Sequence, residues 1–131
     1  DKIHYLDEMG IYGETKMIGI QSGKVGKLKV WNPVKELMLP KYSPKSILEG
    51  ENVHENIKLS LDVLKGKGEK AREDIIAINA GTILYIAGIT KGLEESYKAA
   101  KKALQDGLPY KKLAEFIKEN GGDLKKLKRY D

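Results

Sequence analysis

The stretch at residues 69–89 (EKAREDIIAINAGTILYIAGI) constrains the fold more than any other part of the chain. Its first turn is charged, but the apolar residues that follow surround a helix on every side: Ile75, Ile76, Ala77, Ile78, Ala80, Ile83, Leu84, Ile86 and Ala87. A helix that is apolar all round is a buried helix. The apolar part is only about 20 Å long, and Asn79, Gly81 and Thr82 interrupt it, so it does not suit a bilayer. We therefore predict a buried helix that other elements cover on several sides.

The composition narrows the class of protein. The chain has 131 residues, the length of one domain, and it contains no cysteine, which excludes disulfides, thiolate zinc sites and cysteine nucleophiles. Charged residues make up 33%, as in the ion-pair-rich surfaces of heat-adapted proteins. We recognise no signal peptide and no transmembrane run, and we expect a cytoplasmic protein. Because the first residue is Asp rather than Met, we also expect a piece of a longer or processed protein.

The first quarter of the chain reads as short strands. Residues 2–6 (KIHYL) indicate a buried strand, and residues 7–10 form the loop that leaves its end. Two strand-like runs follow at residues 15–21 and 25–31, the second with a period of two. We predict an antiparallel hairpin, with Gly23 supplying the positive φ that a tight turn requires.

The rest of the chain reads as helical from residue 44 to residue 131. Residues 32–43 contain two prolines and are predicted to be a connecting loop. Proline and glycine positions, with Ser43 as an N-cap, predict helices at residues 44–49, 51–65, 93–105 and 109–119 around the central one, and a last basic turn capped by Asp123. The second of these has an apolar stripe at Val53, Ile57, Leu61 and Leu64. In the helix at 93–105, Ala99 and Ala103 are predicted to permit close approach.

This order of elements predicts an α/β fold, in which a short strand plus a β-hairpin (residues 1–31) is followed by about five helices (residues 44–131). A strand and a hairpin make at most three strands, and three strands cannot cover these helices on both sides. We therefore expect an incomplete sheet whose remaining strands come from sequence outside this chain.

Two adjacent carboxylates, Asp7 and Glu8, stand where the first predicted strand ends. In a loop both can converge on one hard cation, and oxygen ligands suit Mg²⁺, although a solvated acidic loop is the alternative interpretation. His4 and His54 have no zinc-site spacing, so we interpret His54 as a surface residue and His4 as a residue of the strand packing or of a local hydrogen bond. Asn79 must find partners for its amide within an apolar helix, which predicts that it ties this helix to a neighbouring backbone or loop.

The order of several motifs carries a resemblance to a known family. These motifs are HYLDEMG with a following GETK, LEGENVHENIK, DIIAINAGTILYIAGI and LEESYKAAKKALQDG. Together they resemble the C-terminal part of the anthranilate phosphoribosyltransferase family, a group of nucleoside-phosphorylase-like phosphoribosyltransferases. The resemblance covers nearly the whole chain and implies that residues 1–131 are the C-terminal portion of the large α/β domain. The implied activity is transfer of phosphoribosyl from phosphoribosyl pyrophosphate to anthranilate in tryptophan biosynthesis.

The resemblance also implies roles for particular residues. Asp7 and Glu8 match the family's Asp-Glu motif, whose carboxylates bind the Mg²⁺ that holds the diphosphate. Glu55-Asn56 and Asn79-Ala80 match recurrent positions that we interpret as structural, and Tyr5 departs from the family's usual glycine. The glycine-rich phosphate loop, the anthranilate-binding segments and the N-terminal helical domain used for homodimer formation have no match here. We therefore expect this chain to be inactive alone and to need that N-terminal part, from the same gene or from a separate chain.

Two alternatives stay open at the level of sequence. One is a nucleic-acid-binding member of the same fold family that uses the basic C-terminal end at Lys125, Lys126, Lys128 and Arg129. Interspersed acidic residues and the lack of aromatic-basic alternation disfavour this reading, and a solvated helical end explains the lysines. The other alternative is a relative of the pyrimidine nucleoside phosphorylases, which would use free phosphate instead of a diphosphate.

Overall fold

A computed structural model describes residues 8–130 of the chain. The first elements form a β-hairpin from four short strands: β1 (Thr15–Met17), β2 (Ile20–Gln21), β3 (Lys24–Val25) and β4 (Lys29–Trp31). β1 pairs with β4 and β2 pairs with β3, both antiparallel. Between the two pairings, residues 18–19 face residues 26–28, so the returning strand carries an extra residue and bulges. The predicted hairpin is confirmed, whereas the predicted strand at 2–6 lies outside the described residues.

The turn of the hairpin has the backbone conformation that right-handed strand twist favours. Its two central residues, Ser22 and Gly23, have φ values of 50° and 74°. A two-residue turn of this kind needs positive φ at both positions, which glycine adopts without steric cost. The role predicted for Gly23 is confirmed, and Ser22 shares the same left-handed conformation.

The helices follow the hairpin. They are α1 (Pro33–Glu36), a 3₁₀ turn (Pro44–Ile47), α2 (Val53–Leu64), α3 (Lys70–Ile86), α4 (Leu93–Gln105), α5 (Leu108–Glu119) and α6 (Leu124–Lys128). The predicted α/β class is confirmed, and α4 has the predicted bounds. Asp123 caps α6 as predicted, because its Oδ1 accepts from the Lys125 N–H at 2.8 Å. Ser43 holds the N-cap position of the 3₁₀ turn but makes no side-chain cap.

The loop predicted at residues 32–43 is wrong at its start, where α1 forms one helical turn. The Oδ1 atom of Asn32 accepts hydrogen bonds from the N–H groups of Val34 and Lys35 at 3.1 and 3.3 Å. Pro33 occupies the first helical position, where its missing N–H costs nothing. The helical part of the described chain therefore begins at residue 33 rather than 44.

Helices α3 and α4 share the most extensive contact between two helices in the described part of the chain. Gly81 of α3 lies against Ser96 of α4, and a Cβ added at Gly81 would stand 2.9 Å from the carbonyl carbon of Ser96. Ala77 and Ala100 are buried beside this contact. Ala99, which was predicted to permit the approach, is exposed instead, so the small residues that matter are Gly81, Ser96 and Ala100.

The main hydrophobic cluster joins the segment after Glu8 to the hairpin and to α3. Its buried members are Met9, Ile11, Trp31, Leu39, Ala71 and Ile78. Ile11 is completely buried, and Trp31 retains 6% of its exposure at the end of β4. This cluster therefore fixes the chain immediately downstream of the acidic loop against the side of α3.

The prediction of a helix buried on several sides holds only in part: the hairpin cluster and α4 cover two sides of α3, whereas a further side is exposed within residues 8–130. Ile83 is 68% exposed and Ile86 is 78% exposed. The stripe predicted on α2 is also only half covered, since Leu61 is buried while Val53 is 76% exposed. Even so, no helix in the described range is long and apolar enough to cross a membrane.

Candidate acidic-loop site

The predicted metal-binding pair lies at the edge of what the structure describes. Asp7 is outside the described residues, and Glu8 stands exposed in a bend. Between residues 8 and 130, no group of three or more acidic or histidine side chains could hold a metal ion by itself. Glu8 does offer an open carboxylate, which is the oxygen donor that Mg²⁺ prefers. The metal assignment of Asp7 and Glu8 thus stays a prediction.

Asn79 of α3 holds the residue that follows Glu8. Its Oδ1 accepts a hydrogen bond from the Met9 N–H at 3.0 Å, and its Nδ2 donates to the Met9 carbonyl, also at 3.0 Å. The same Nδ2 donates to the carbonyl of Ile75 at 2.9 Å, one helical turn earlier. The prediction that Asn79 ties the central helix to a neighbouring loop is confirmed, and that loop is the acidic one.

The Met9 side chain is held by the same face of α3. Only 8% of Met9 is exposed, and Thr82 Oγ1 lies 2.9 Å from its sulfur. The next N–H, that of Gly10, reaches Thr15 Oγ1 at 3.4 Å. Backbone and side-chain contacts therefore fix the start of this segment before it enters the hydrophobic cluster at Ile11.

A buried polar network, centred on Asp74 in the second turn of α3, was missed from sequence. Asp74 is fully buried and accepts hydrogen bonds from Tyr42 at 2.7 Å and from Tyr97 at 2.8 Å. Lys101 Nζ lies 2.6 Å from the Asp74 carboxylate and 3.0 Å from that of Glu73. We call these five residues the Asp74 network. It joins α3 to α4 and to the loop before the 3₁₀ turn.

The electrostatics of the Asp74 network favour neutral phenols. Burial, followed by the hydrogen bond to Asp74, raises the pKa of Tyr42 well above its usual value, and the pKa of Tyr97 is raised for the same reasons. A neutral phenol can donate to the carboxylate, whereas a phenolate would repel it. The two tyrosines therefore tie Asp74 in place through charge-assisted hydrogen bonds, and neither phenol is poised to give up a proton near neutral pH.

A cleft of about 340 Å³ lies between the segment after Met9, the start of α1 and the loop that carries Tyr42. Tyr12 and Gly13 form one part of its lining, and Tyr42 links it to the network; the remaining lining residues are Asn32, Val34, Lys35 and Lys41. Asn32 uses its side-chain oxygen to cap α1. The cleft is thus bounded in part by residues that other contacts already position.

The remaining sequence candidates have structural or surface positions. Glu55 Oε2 accepts from the Glu51 N–H at 2.6 Å, and Asn56 Oδ1 accepts from the Gly50 N–H at 2.7 Å, which confirms a structural role for this pair. His54 is exposed, as predicted, with its ring centroid 4.8 Å from that of Tyr130. The basic C-terminal lysines and arginine are exposed as well.

The described chain is thus one portion of an α/β domain, in which a hairpin precedes a helical layer and the segment after Glu8 is hydrogen-bonded to the central helix. Residues 3–110 match the family described as "Glycosyl transferase family, a/b domain". The chain belongs to this family. The resemblance drawn from the sequence motifs is thereby confirmed at the level of the family.

More particular similarity is to anthranilate phosphoribosyltransferases. The chain is 33% identical over 112 residues to that of Sorangium cellulosum strain So ce56, which covers 86% of this chain and 31% of the relative. It is 34% identical over 122 residues to anthranilate phosphoribosyltransferase 1 of Nostoc sp. strain PCC 7120, covering 86% and 33%. The crystal structure of the Thermus thermophilus enzyme superposes with a TM-score of 0.75 at 27% identity, covering 86% and 32%. The chain thus spans about a third of the length of these relatives.

Proposed function

We propose that this chain is the C-terminal portion of an anthranilate phosphoribosyltransferase. The complete enzyme transfers the phosphoribosyl group from phosphoribosyl pyrophosphate to the amine of anthranilate and releases diphosphate. The observation that carries the proposal is the similarity, over 86% of the chain, to enzymes of that name. The anchored acidic loop supports it, because it presents Glu8 to solvent from a backbone that α3 holds.

The contribution of this chain to the reaction is electrostatic. Departure of diphosphate builds negative charge while the ribosyl carbon becomes electron-deficient, and the anthranilate nitrogen then attacks that carbon and loses a proton. Mg²⁺ would neutralise charge on the leaving diphosphate. Asp7 and Glu8 would hold this ion, and Asn79 fixes the backbone that follows them. Such a mechanism requires no protein nucleophile.

The rest of the complete enzyme supplies what this chain lacks. The proposal includes a partner portion, from the same gene or a separate chain, that carries the phosphate loop, the anthranilate-binding residues and the surface for homodimer formation. The chain covers 31% of the Sorangium cellulosum relative, which leaves most of that relative's sequence to perform these roles. On this proposal the isolated chain does not catalyse the transfer.

A hybrid enzyme tests the proposal directly. In the hybrid, this chain replaces the segment that it matches in the Sorangium cellulosum relative. Anthranilate consumption and diphosphate release are then measured with phosphoribosyl pyrophosphate, with and without Mg²⁺, for the hybrid and for the isolated chain. We expect Mg²⁺-dependent turnover by the hybrid and none by the isolated chain.

Two results would contradict different parts of the proposal. Product formation by the isolated chain would show that no partner portion is needed. A hybrid that folds and dimerises like the Sorangium cellulosum enzyme, yet forms no phosphoribosyl anthranilate, would remove the assigned reaction. The unaltered Sorangium cellulosum enzyme serves as the positive control for both measurements.

A further inference from the structure

We propose that Asn79 is a positioning residue for the carboxylate of Glu8, and that its side-chain amide sets how tightly this carboxylate contributes to holding Mg²⁺. This inference rests on the proposed function and assigns a role to a residue that need not touch the ion. Asn79 stands on α3, seventy positions from Met9 in sequence, and binds Met9 through both of its amide atoms.

The first step of the argument is the geometry of this contact. Oδ1 accepts from the Met9 N–H and Nδ2 donates to the Met9 carbonyl, each at 3.0 Å. Two bonds to one residue restrict both its translation and its rotation. The Met9 nitrogen belongs to the same planar peptide as the carbonyl of Glu8, so the bond at Oδ1 also orients the peptide that leads out of the acidic pair.

The second step is that the Asn79 amide can act in only one orientation. Nδ2 donates to the Ile75 carbonyl at 2.9 Å as well as to the carbonyl of Met9. If the amide turned over, its oxygen would face two carbonyl oxygens and its nitrogen would face the Met9 N–H. An aspartate at position 79 would place an oxygen at the same two carbonyls. The site therefore requires an amide, and an acid of equal size does not replace it.

The third step concerns what else could position Glu8. Among residues 8–130, its side chain makes no hydrogen bond or ion pair, and it is exposed. Its location is thus inherited from its backbone, which is fixed on the downstream side by Asn79. A carboxylate carried on a held backbone loses less conformational entropy when it binds a cation than one on a free loop.

The fourth step is that packing between α3 and α4 holds Asn79 in place. Asn79 lies between Asp74 and Gly81 on α3, and both of those residues fasten α3 to α4. Asp74 bonds to Tyr97 and Lys101, and Gly81 permits backbone contact with Ser96. The backbone that follows Glu8 is therefore held, through one amide, by a closely packed pair of helices.

The test compares Asn79→Ala and Asn79→Asp with a matched control, Asn56→Ala. Asn56 also accepts from a loop N–H, that of Gly50 at 2.7 Å, but it lies on α2 and belongs to another loop. Hydrogen exchange of the Met9 amide is measured on this chain, and the Mg²⁺ concentration for half-maximal turnover is measured on the hybrid enzyme. We expect both Asn79 variants to lose Met9 protection and to raise that Mg²⁺ concentration about 10-fold or more. The Asn56 variant should keep both values, and saturating Mg²⁺ should restore most of the kcat of Asn79→Ala.

The possible outcomes of these measurements separate a failure of the inference from a failure of the proposed function. Unchanged Met9 protection in Asn79→Ala, or lost protection with an unchanged Mg²⁺ requirement, overturns the inference. An equal shift in Asn56→Ala overturns it too, because general loosening would then explain the effect. A wild-type hybrid that turns over without responding to Mg²⁺ refutes the metal role in the proposed function instead. That failure is distinguishable, since the Met9 amide is read without any catalysis.

Discussion

Tyr42 donates its hydroxyl to the Oδ2 atom of Asp74 at 2.7 Å, across 32 positions of sequence. Asp74 is fully buried, and a buried carboxylate is costly unless hydrogen bonds and opposite charge replace its water. Tyr42, Tyr97 and Lys101 supply that replacement from the loop before the 3₁₀ turn and from α4. The Asp74 network therefore makes the stability of the helical layer depend on a loop that precedes it.

The first prediction concerns removal of one donor from this network. Tyr42→Phe should lower the free energy of unfolding by about 1–3 kcal/mol, because a buried carboxylate loses a charge-assisted hydrogen bond. Tyr85→Phe is the matched control, since Tyr85 is 46% exposed on α3 and should change little. Urea unfolding of both variants measures the difference, and equal stability of the two would show that the Tyr42 bond contributes nothing.

The second prediction is loss of stability at alkaline pH. The pKa of both Tyr42 and Tyr97 is raised above the ordinary 10.0, so the folded state keeps protons that unfolded tyrosine releases. The stabilisation is complete below pH 10 and is lost as the pH rises further. Unfolding midpoints measured from neutral pH upward should fall above that value. The double variant Tyr42→Phe with Tyr97→Phe should show a shallower fall, and an equally steep fall would contradict the assignment.

The third prediction is that Gly81→Ala destabilises the protein although alanine favours helices. The new Cβ would lie 2.9 Å from the Ser96 carbonyl carbon, so α3 and α4 must separate. We expect a loss of about 1–3 kcal/mol in the free energy of unfolding, in spite of a gain of roughly 1 kcal/mol in helix propensity. Gly19→Ala is the control, because a Cβ there meets nothing within 4 Å. A stabilised Gly81→Ala variant would show that the two helices can part without cost.

The fourth prediction concerns the uncovered side of α3. Ile86 is 78% exposed, so Ile86→Ser should change the stability of the isolated chain by about 0.5 kcal/mol or less. In the hybrid enzyme we expect sequence outside this chain to cover that side. The same substitution should then lower the free energy of unfolding by roughly 2–4 kcal/mol. Ile78→Ala, at a position only 3% exposed, should be costly in both proteins. Equal small effects of Ile86→Ser in both would mean that nothing covers this side.

The fifth prediction addresses the acidic pair itself. In the hybrid enzyme, Asp7→Asn combined with Glu8→Gln should lower Mg²⁺-dependent turnover by about 100-fold or more while the melting temperature hardly changes. Glu14→Gln, at an exposed acid just before the hairpin, is the control and should keep full turnover. Steady-state kinetics with varied Mg²⁺ measures this, and an unaltered rate in the double variant would remove the metal assignment.

Local signals in the sequence predicted the elements that depend on local chemistry. The hairpin follows from alternation and from Gly23, and α4 begins and ends where the sequence indicated. The turn α1 was missed although Asn32-Pro33 is a cap followed by a first-turn proline, because two prolines within twelve residues also favour a loop. The sequence predicted that Asn79 would hydrogen-bond to a neighbouring segment, since a buried amide needs partners. That the partner is Met9 could be seen only from the fold.

Tertiary relationships were beyond the sequence for a physical reason. The apolar residues of α3 indicated that the helix is to be buried, but a hydrophobic pattern does not say which polypeptide buries it. Ile83 and Ile86 are apolar like the buried residues of this helix, yet they are exposed in the part of the chain that the structure describes. The Asp74 network joins residues 23, 27 and 32 positions apart, and no periodicity links such residues. In the sequence alone, Asp74 is indistinguishable from the other charged residues at the start of this helix.

The burial of Trp31 has a practical consequence. It is the single tryptophan of the chain, and it packs in the same cluster as Met9 and Ile11, directly downstream of Glu8. Indole emission depends on the polarity around the ring, so the intrinsic fluorescence of this protein reports on the segment beside the acidic loop without any added dye. The packing of that segment can therefore be followed on the native polypeptide by that one signal.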